Sequence, residues 1–332
     1  MVDEERWRGE RAALNAARGV LGERASRLYP GVARVAGTAL LCREGWIPDA
    51  PVPLEDVRLE WDERAVAAAV RAPVGGLPGE YRSYSEAMAA LSPPKVFEDR
   101  PCYRLLDVGP PVLRFGAASF FEGVDVVEAV AHELAAGVDG LPLRRRIGDP
   151  CDLGRRTVIP AVTTLTVTTS GRYVLHWRDP AKVAHAGGLH QVMPVGCFQP
   201  LGDEAPDVWQ CMVREYAEEL LGAEESYGPG FVQEEWGFHR TLTSLRDRGL
   251  MRVRFLGVGV DPLSLAVDLL TVAVIEDEAF REVFGGLVAV NEEGVVSVRR
   301  FDGTVPEPMQ PAGAAALRLA WRHRRRLGIS PG

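Results

Sequence analysis

The chain has 332 residues, 46% of them hydrophobic, with a formal net charge of −8 and a pI near 5.4. That length suits one large or two ordinary domains, and the apolar content supplies a core. An acidic chain is a poor nonspecific ligand for nucleic acid, and no run approaches a transmembrane span, so neither partner is expected. The charged N-terminus carries no secretory segment, and five scattered cysteines without a C-x-x-C pair argue against a disulfide framework, so a reduced, cytoplasmic protein is expected.

Residues 4–27 read as a charged helix with Leu14, Ala17, Val20 and Leu21 along one side. It packs on the body or joins a partner such as a second copy in a homodimer; packing is the simpler reading. Residues 32–61 are rich in proline and β-branched side chains and read as extended segments. Residues 62–71 read as a short helix, 73–79 as a loop, and 84–91 as a helix stopped by Pro93-Pro94. Strands are expected at 103–108 and 112–115. An amphipathic helix over 124–136 contains His132-Glu133, but the second histidine of a zinc motif is Ala136 here, so His132 reads as structural or as part of a pocket. Residues 137–155 read as a loop in which Arg144, Arg145 and Arg146 form a solvated charge run, a phosphate-facing role being the minority reading.

From Thr157 the pattern changes. Residues 158–168 alternate as a strand, Ser170-Gly171 turns, and 172–178 returns. Then comes Met193-Pro194-Val195-Gly196, and a helix over 207–221 follows, with Asp207 as its N-cap and Gly222 as its C′ residue. Glu215, Glu218 and Glu219 fall at i, i+3 and i+4 of that helix and share one face. Such crowding of like charge becomes favourable around a divalent cation, and carboxylate oxygens are the donors Mg²⁺ and Mn²⁺ prefer. Residues 227–248 read as loop then helix. Strands at 251–260 and 265–275 join through Asp261-Pro262, a hairpin turns at Glu293-Gly294 between 288–290 and 295–301, and a basic-ended helix occupies 312–326.

The glycine segment followed by Arg214-Glu215-Tyr216-Ala217-Glu218-Glu219 resembles the Nudix box, G-x5-E-x7-R-E-U-x-E-E-x-G-U with U aliphatic. The R-E-x-x-E-E half matches in full. Gly196 to Arg214 is four residues longer than the family spacing; Glu204 is the nearest candidate for the early glutamate; Tyr216 replaces an aliphatic residue; one extra leucine precedes Gly222. A second resemblance runs from about Val35 to the end. Gly45-Trp46-Ile47-Pro48, Tyr103-Arg104-Leu105-Leu106-Asp107-Val108, His176-Trp177-Arg178-Asp179-Pro180 and Gly257-Val258-Gly259-Val260-Asp261-Pro262-Leu263 are similar to segments of bacterial helix-turn-helix regulators of the xenobiotic-response-element type. Those carry a Nudix-like C-terminal region, and the chain lacks room for their DNA-binding domain.

What the resemblance implies is an α/β (α+β) fold: a Nudix-like mixed sheet sandwiched by helices, with an N-terminal α+β extension. A boundary is placed near Pro150, giving residues 1–150 as the extension and 151–332 as the Nudix-like domain. The implied function is metal-dependent hydrolysis of a nucleoside diphosphate-linked small molecule. Glu215 and Glu219 would bind Mg²⁺ or Mn²⁺, and Glu218 would bind a second ion or act as base. A backbone carbonyl near Gly196 would complete the shell, and Arg214 would brace the loop through Glu204. Arg178 and Lys182 are the candidate contacts to a phosphate-containing ligand; pairing of Arg178 with Asp179 is the equal alternative. Asp268, Glu276 and Asp277 are the candidates for a later carboxylate, and Trp177, Trp209 and Trp236 for stacking a base, although each tryptophan reads more simply as core. The alternative function is a catalytically degenerate Nudix-fold protein that senses a ligand or regulates.

Overall fold

A computed structural model describes residues 3–70, 76–94, 97–178, 188–202, 204–223, 227, 230–287 and 294–330. The N-terminal charged run makes two helices where one is expected, α1 (Glu4–Ala16) and α2 (Arg18–Ser26), broken at Ala17 where φ is −115°. On either side of the break, Arg11 and Arg18 converge on one buried carboxylate, Glu128, at 2.5 and 2.9 Å. Trp7, Arg11 and Leu14 are buried, so α1 packs on the body.

Three short strands follow, β1 (Ala33–Arg34), β2 (Leu41–Cys42) and β3 (Val52–Pro53), then β4 (Arg58–Trp61). The helix expected over 62–71 is not formed across residues 62–70. The Asp62 N–H bonds the Phe115 carbonyl at 2.8 Å and Val70 bridges Arg156, so tertiary pairing overrides the local alanine-rich propensity. Helix α3 (Tyr84–Leu91) begins at Ser83, whose hydroxyl accepts the Glu86 N–H, and stops before Pro93. Strands β5 (Pro101–Gly109) and β6 (Val112–Ser119) form a hairpin to which β4 adds in parallel, giving a three-stranded sheet. Helix α4 (Phe120–Ala135) starts with a capping box between Ser119 and Glu122. The region expected as a loop contains another helix, α5 (Pro142–Ile147). Its first amides are satisfied from outside: Glu133 accepts the Leu143 and Arg144 N–H groups at 2.6 and 3.0 Å.

The second half supplies β7 (Pro160–Thr168), β8 (Arg172–Arg178), β9 (His190–Val192), β10 (Val195–Cys197), α6 (Val208–Glu215) with a π-helical continuation (Tyr216–Leu220), and α7 (Gly237–Asp247). Then come β11 (Met251–Val260), β12 (Val267–Ile275), α8 (Asp277–Phe284), β13 (Gly294–Arg300) and α9 (Pro311–Leu327). Among the described residues these strands build one ten-stranded sheet whose main path is β1-β2-β11-β12-β7-β8-β13, with β3, β9 and β10 on β11, β8 and β7. The β7–β12 pair is parallel and the other pairs are antiparallel, so the sheet is mixed. The fold is α+β, a curled mixed sheet between helices with a second small sheet. Of the hairpin expected at Glu293-Gly294, the first arm lies outside the described residues, and β13 pairs with β8.

β1, β2 and β3 precede Pro150 yet belong to the large sheet. One buried apolar cluster runs from Trp7 to Ile329 and takes in the small sheet, α4, β11, β12 and α9. The two regions therefore share a core.

Candidate functional site

The edge of β7 is divided. Its first residues pair with β10 (Val195↔Thr163, Gly196↔Val162, Cys197↔Ala161), and only Val167 pairs with β8. The two strands splay, β9 pairs with β8, and residues 193–194 cross the gap. Thr166 donates its hydroxyl to the Met193 carbonyl at 2.8 Å, and the Thr164 N–H bonds the Pro194 carbonyl at 2.9 Å. The expected glycine loop is thus a kink between two short strands. Sheet bonding left over by the splay has captured it.

Gly196 serves close approach rather than a turn. A Cβ there would lie 1.8 Å from the Glu215 carboxyl carbon, so only glycine admits that side chain. One residue earlier, the Val195 N–H donates to Glu219 Oε2 at 3.0 Å. Two carboxylates four residues apart thereby meet adjacent residues of β10.

The helix carrying them is α-helical only to Glu215. Asp207 caps its start, accepting the Trp209 and Gln210 N–H groups at 2.7 and 3.1 Å. From Tyr216 to Leu220 it is a π-helix. A π turn absorbs one more residue than an α turn, which accounts physically for the extra leucine before Gly222. Gly222 takes φ +69° and its N–H bonds the Glu218 carbonyl at 3.2 Å. The wider turn also changes the angular spacing of residues three apart from that of an α-helix. Glu218 accepts a hydrogen bond from the Tyr227 hydroxyl at 2.7 Å. Burial, then this carboxylate, pushes the Tyr227 hydroxyl well above its ordinary pKa. Nothing in the sequence singled out Tyr227; its ring sits against Phe231 and Trp236, in a cluster continued by Phe238.

Tyr216, in an aliphatic position of the pattern, is fully buried with its hydroxyl 2.7 Å from that of Thr166. Arg214 is buried too. It donates to the Gln199 carbonyl at 2.8 Å, Gln233 Oε1 at 2.6 Å and Glu204 Oε2 at 3.3 Å, tying α6 to the segment that leads into it. Glu204 also accepts the Leu201 N–H at 3.1 Å.

Arg178 stands at the end of β8 opposite Gly294, and Lys182 and Asp179 lie outside the described residues. Of the later carboxylates, Asp277 holds the β7–β8 turn through Thr169 Oγ1 at 2.8 Å and the Ser170 N–H at 3.0 Å. Burial opposes its ionisation, but these bonds keep its carboxyl below the ordinary range. Glu276 precedes α8 as its N-cap residue. Asp268 accepts from the Thr163 hydroxyl at 2.7 Å, and burial raises it to about 7. Thr163 and Thr166 point to opposite faces of β7, so Asp268 lies on the face away from Tyr216 and α6. Trp209 is covered by Arg246, 4.3 Å above its ring, and Trp236 belongs to the aromatic cluster.

Two other motifs prove structural. His132 is buried between Tyr84 Oη at 2.8 Å and Glu10 Oε2 at 3.2 Å, and burial holds its pKa below the ordinary value despite Glu10. Arg144, expected in a solvated run, is buried and donates to the carbonyls of Pro262 and Val130 and to the Tyr29 hydroxyl; Arg145 and Arg146 are exposed. Its guanidinium ties the α4 carbonyl of Val130 to the Pro262 carbonyl, which lies in the turn between β11 and β12.

Among the described residues no helix is long and apolar enough to cross a membrane, and no three His, Cys, Asp or Glu side chains gather as a ready-made metal shell. No protein-family model matches this chain, and no curated protein matches it.

Proposed function

We propose that the chain is a metal-dependent hydrolase acting on a diphosphate-linked small molecule. The observation that carries this reading is the meeting of Glu215 with Gly196 and of Glu219 with the Val195 N–H, at a strand position where a Cβ would fill the space. The donor chemistry fits Mg²⁺ or Mn²⁺. Mg²⁺ is commonly held by one or two carboxylates and completes its octahedron with water and substrate phosphate, so a third gathered carboxylate is not required. Glu215 and Glu219 would hold the ion. When bound, it supplies Lewis-acid polarisation of a phosphoryl oxygen and an acidified water. The protein's own part is positional. Arg214 fixes the segment around Gln199 and Glu204 against α6, Gly196 lets Glu215 reach the strand, and the Tyr227 hydroxyl orients Glu218, the candidate base. A phosphate group would be met by Arg178 and Lys182.

One observation favours the alternative, a catalytically degenerate ligand-sensing protein. The π turn directs Glu218 to Tyr227, and a sensor has no need of a base. Thermal melts test the metal site, and phosphate release separates the two readings. Ligand binding to the folded state adds RT ln(1 + [L]/Kd), about 2.7 kcal/mol at a hundredfold excess. Wild type should melt higher with Mn²⁺, and Glu219→Gln should lose most of that rise, because a neutral amide is a poorer ligand for a hard cation. Without metal the variant should melt no lower than wild type, since its amide oxygen still accepts from Val195 and one repelling charge has gone. Equal Mn²⁺ responses would remove the metal site. A retained response without Mg²⁺-dependent phosphate release from a panel of diphosphate compounds would leave the sensor.

A further inference from the structure

The sequence places five cysteines far apart, but the fold brings two of them into contact. Cys102 Sγ on β5 and Cys197 Sγ at the end of β10 are 3.8 Å apart. The next residue of each chain segment also meets its counterpart: the Tyr103 N–H bonds the Phe198 carbonyl at 3.1 Å, and the two rings pack with centroids 4.7 Å apart. Cys102 is buried and Cys197 half-buried. Cys211, the third thiol nearby, donates to the Cys197 carbonyl at 3.6 Å.

We infer that Cys102 and Cys197 are a site of reversible oxidation, forming a disulfide that ties the small sheet to β10. With a hydroperoxide as oxidant, the Cys197 sulfur attacks one peroxide oxygen, the O–O bond breaks, and an alcohol or water leaves. The resulting sulfenic acid is then attacked by the Cys102 sulfur; the S–S bond forms, the S–O bond breaks, and water carries off the oxygen and the thiol proton. Each sulfur gives up one electron to the peroxide overall, and a small thiol reductant reverses the step by exchange. The thiols are held in the packed interior, so the reaction is slow compared with that of an exposed cysteine. Bond formation must draw the sulfurs from 3.8 Å to about 2.05 Å. Cys197 adjoins Gly196, where Glu215 already leaves no room for a Cβ, so β10 cannot shift without disturbing that contact.

The test treats the full-length protein with hydrogen peroxide, then maps its peptides by mass spectrometry without reduction. A Cys102–Cys197 cross-linked peptide is expected, with an intact mass lower by about 2 Da for the two hydrogens lost, and both should revert with dithiothreitol. Because the bridge closes a long loop, the oxidised protein should also melt higher. Cys102→Ser and Cys197→Ser should each abolish the cross-link, and Cys211→Ser should leave it. Absence of the cross-link in folded wild type, or a bridge through Cys211 instead, would overturn the proposal. Its bearing on the cation site rests on the function proposed above. The Mn²⁺ response of reduced protein tests that function alone. A Kd about tenfold weaker after oxidation, in wild type but not in Cys102→Ser, tests the link, and an unchanged Kd would break it.

Discussion

At the residue scale, Gly196 and Asp268 are set apart by what surrounds them. Gly196 lacks a side chain because Glu215 occupies the space, so Gly196→Ala must displace either the carboxylate or β10. Overpacking of this kind costs about 1–3 kcal/mol. A lowered melting temperature and loss of the Mn²⁺ response are expected together; an unchanged response would show that the Glu215 contact does not matter to cation binding. Asp268 has its folded-state pKa raised from the ordinary carboxylate range to about 7, chiefly by burial. Its contribution is therefore most favourable below the unfolded value and is lost as pH rises through 7. Asp268→Asn keeps an acceptor for the Thr163 hydroxyl but cannot ionise. The variant should match wild type near pH 4 and melt higher at pH 8, by about 1–2 °C for each kcal/mol gained in a chain of this size. Melts across that range check the sign.

At the element scale, the helix of the candidate site is two helices in series. The α-helical part presents Arg214 and Glu215, and the π part presents Glu218 and Glu219. If the π turn exists to absorb one inserted residue, deleting half-buried Leu221 should let the segment close as an α turn. That variant should fold, and with the α-helical spacing of Glu215, Glu218 and Glu219 restored it should bind Mn²⁺ more tightly than wild type; titration calorimetry reads the difference. An unfolded product would mean that the inserted residue is locked in by its packing. The strands show the same dependence on context. Residues 193–196 carry Pro and Gly and read as a loop, yet splayed neighbours offer free backbone groups, and the segment satisfies them through the Met193 and Pro194 carbonyls and the first residues of β10.

At the scale of the whole molecule, the N-terminal 150 residues are not an appendage. They place β1 and β3 at the far side of the large sheet, β2 and β3 pair directly with β11, and one apolar core spans both regions. Cut at Pro150, each piece would expose strand edges and core surface. Expressed alone, residues 1–150 and 151–332 should each fail to give a cooperative melt, whereas the two together should recover one. Two independent cooperative transitions would contradict a shared core.

The chain by itself determined its mixed α and β class, most of its helices and strands, and the ends of α3, because apolar period, caps and breakers act locally. Ser83 and Pro93 delimit that helix whatever surrounds it. Local signals also put Arg214, Glu215, Glu218 and Glu219 on one helical segment. Tertiary structure decided the rest. Whether residues 62–70 coil or pair, whether Arg144 meets water or carbonyls, and where Tyr227 points all depend on groups distant in sequence. The contact of Glu215 with Gly196, nineteen residues earlier, and of Cys102 with Cys197 arises only when β7 splays from β8 and β10 fills the space. No local period encodes that meeting; it follows from backbone hydrogen bonds that had to be satisfied in the interior of the sheet.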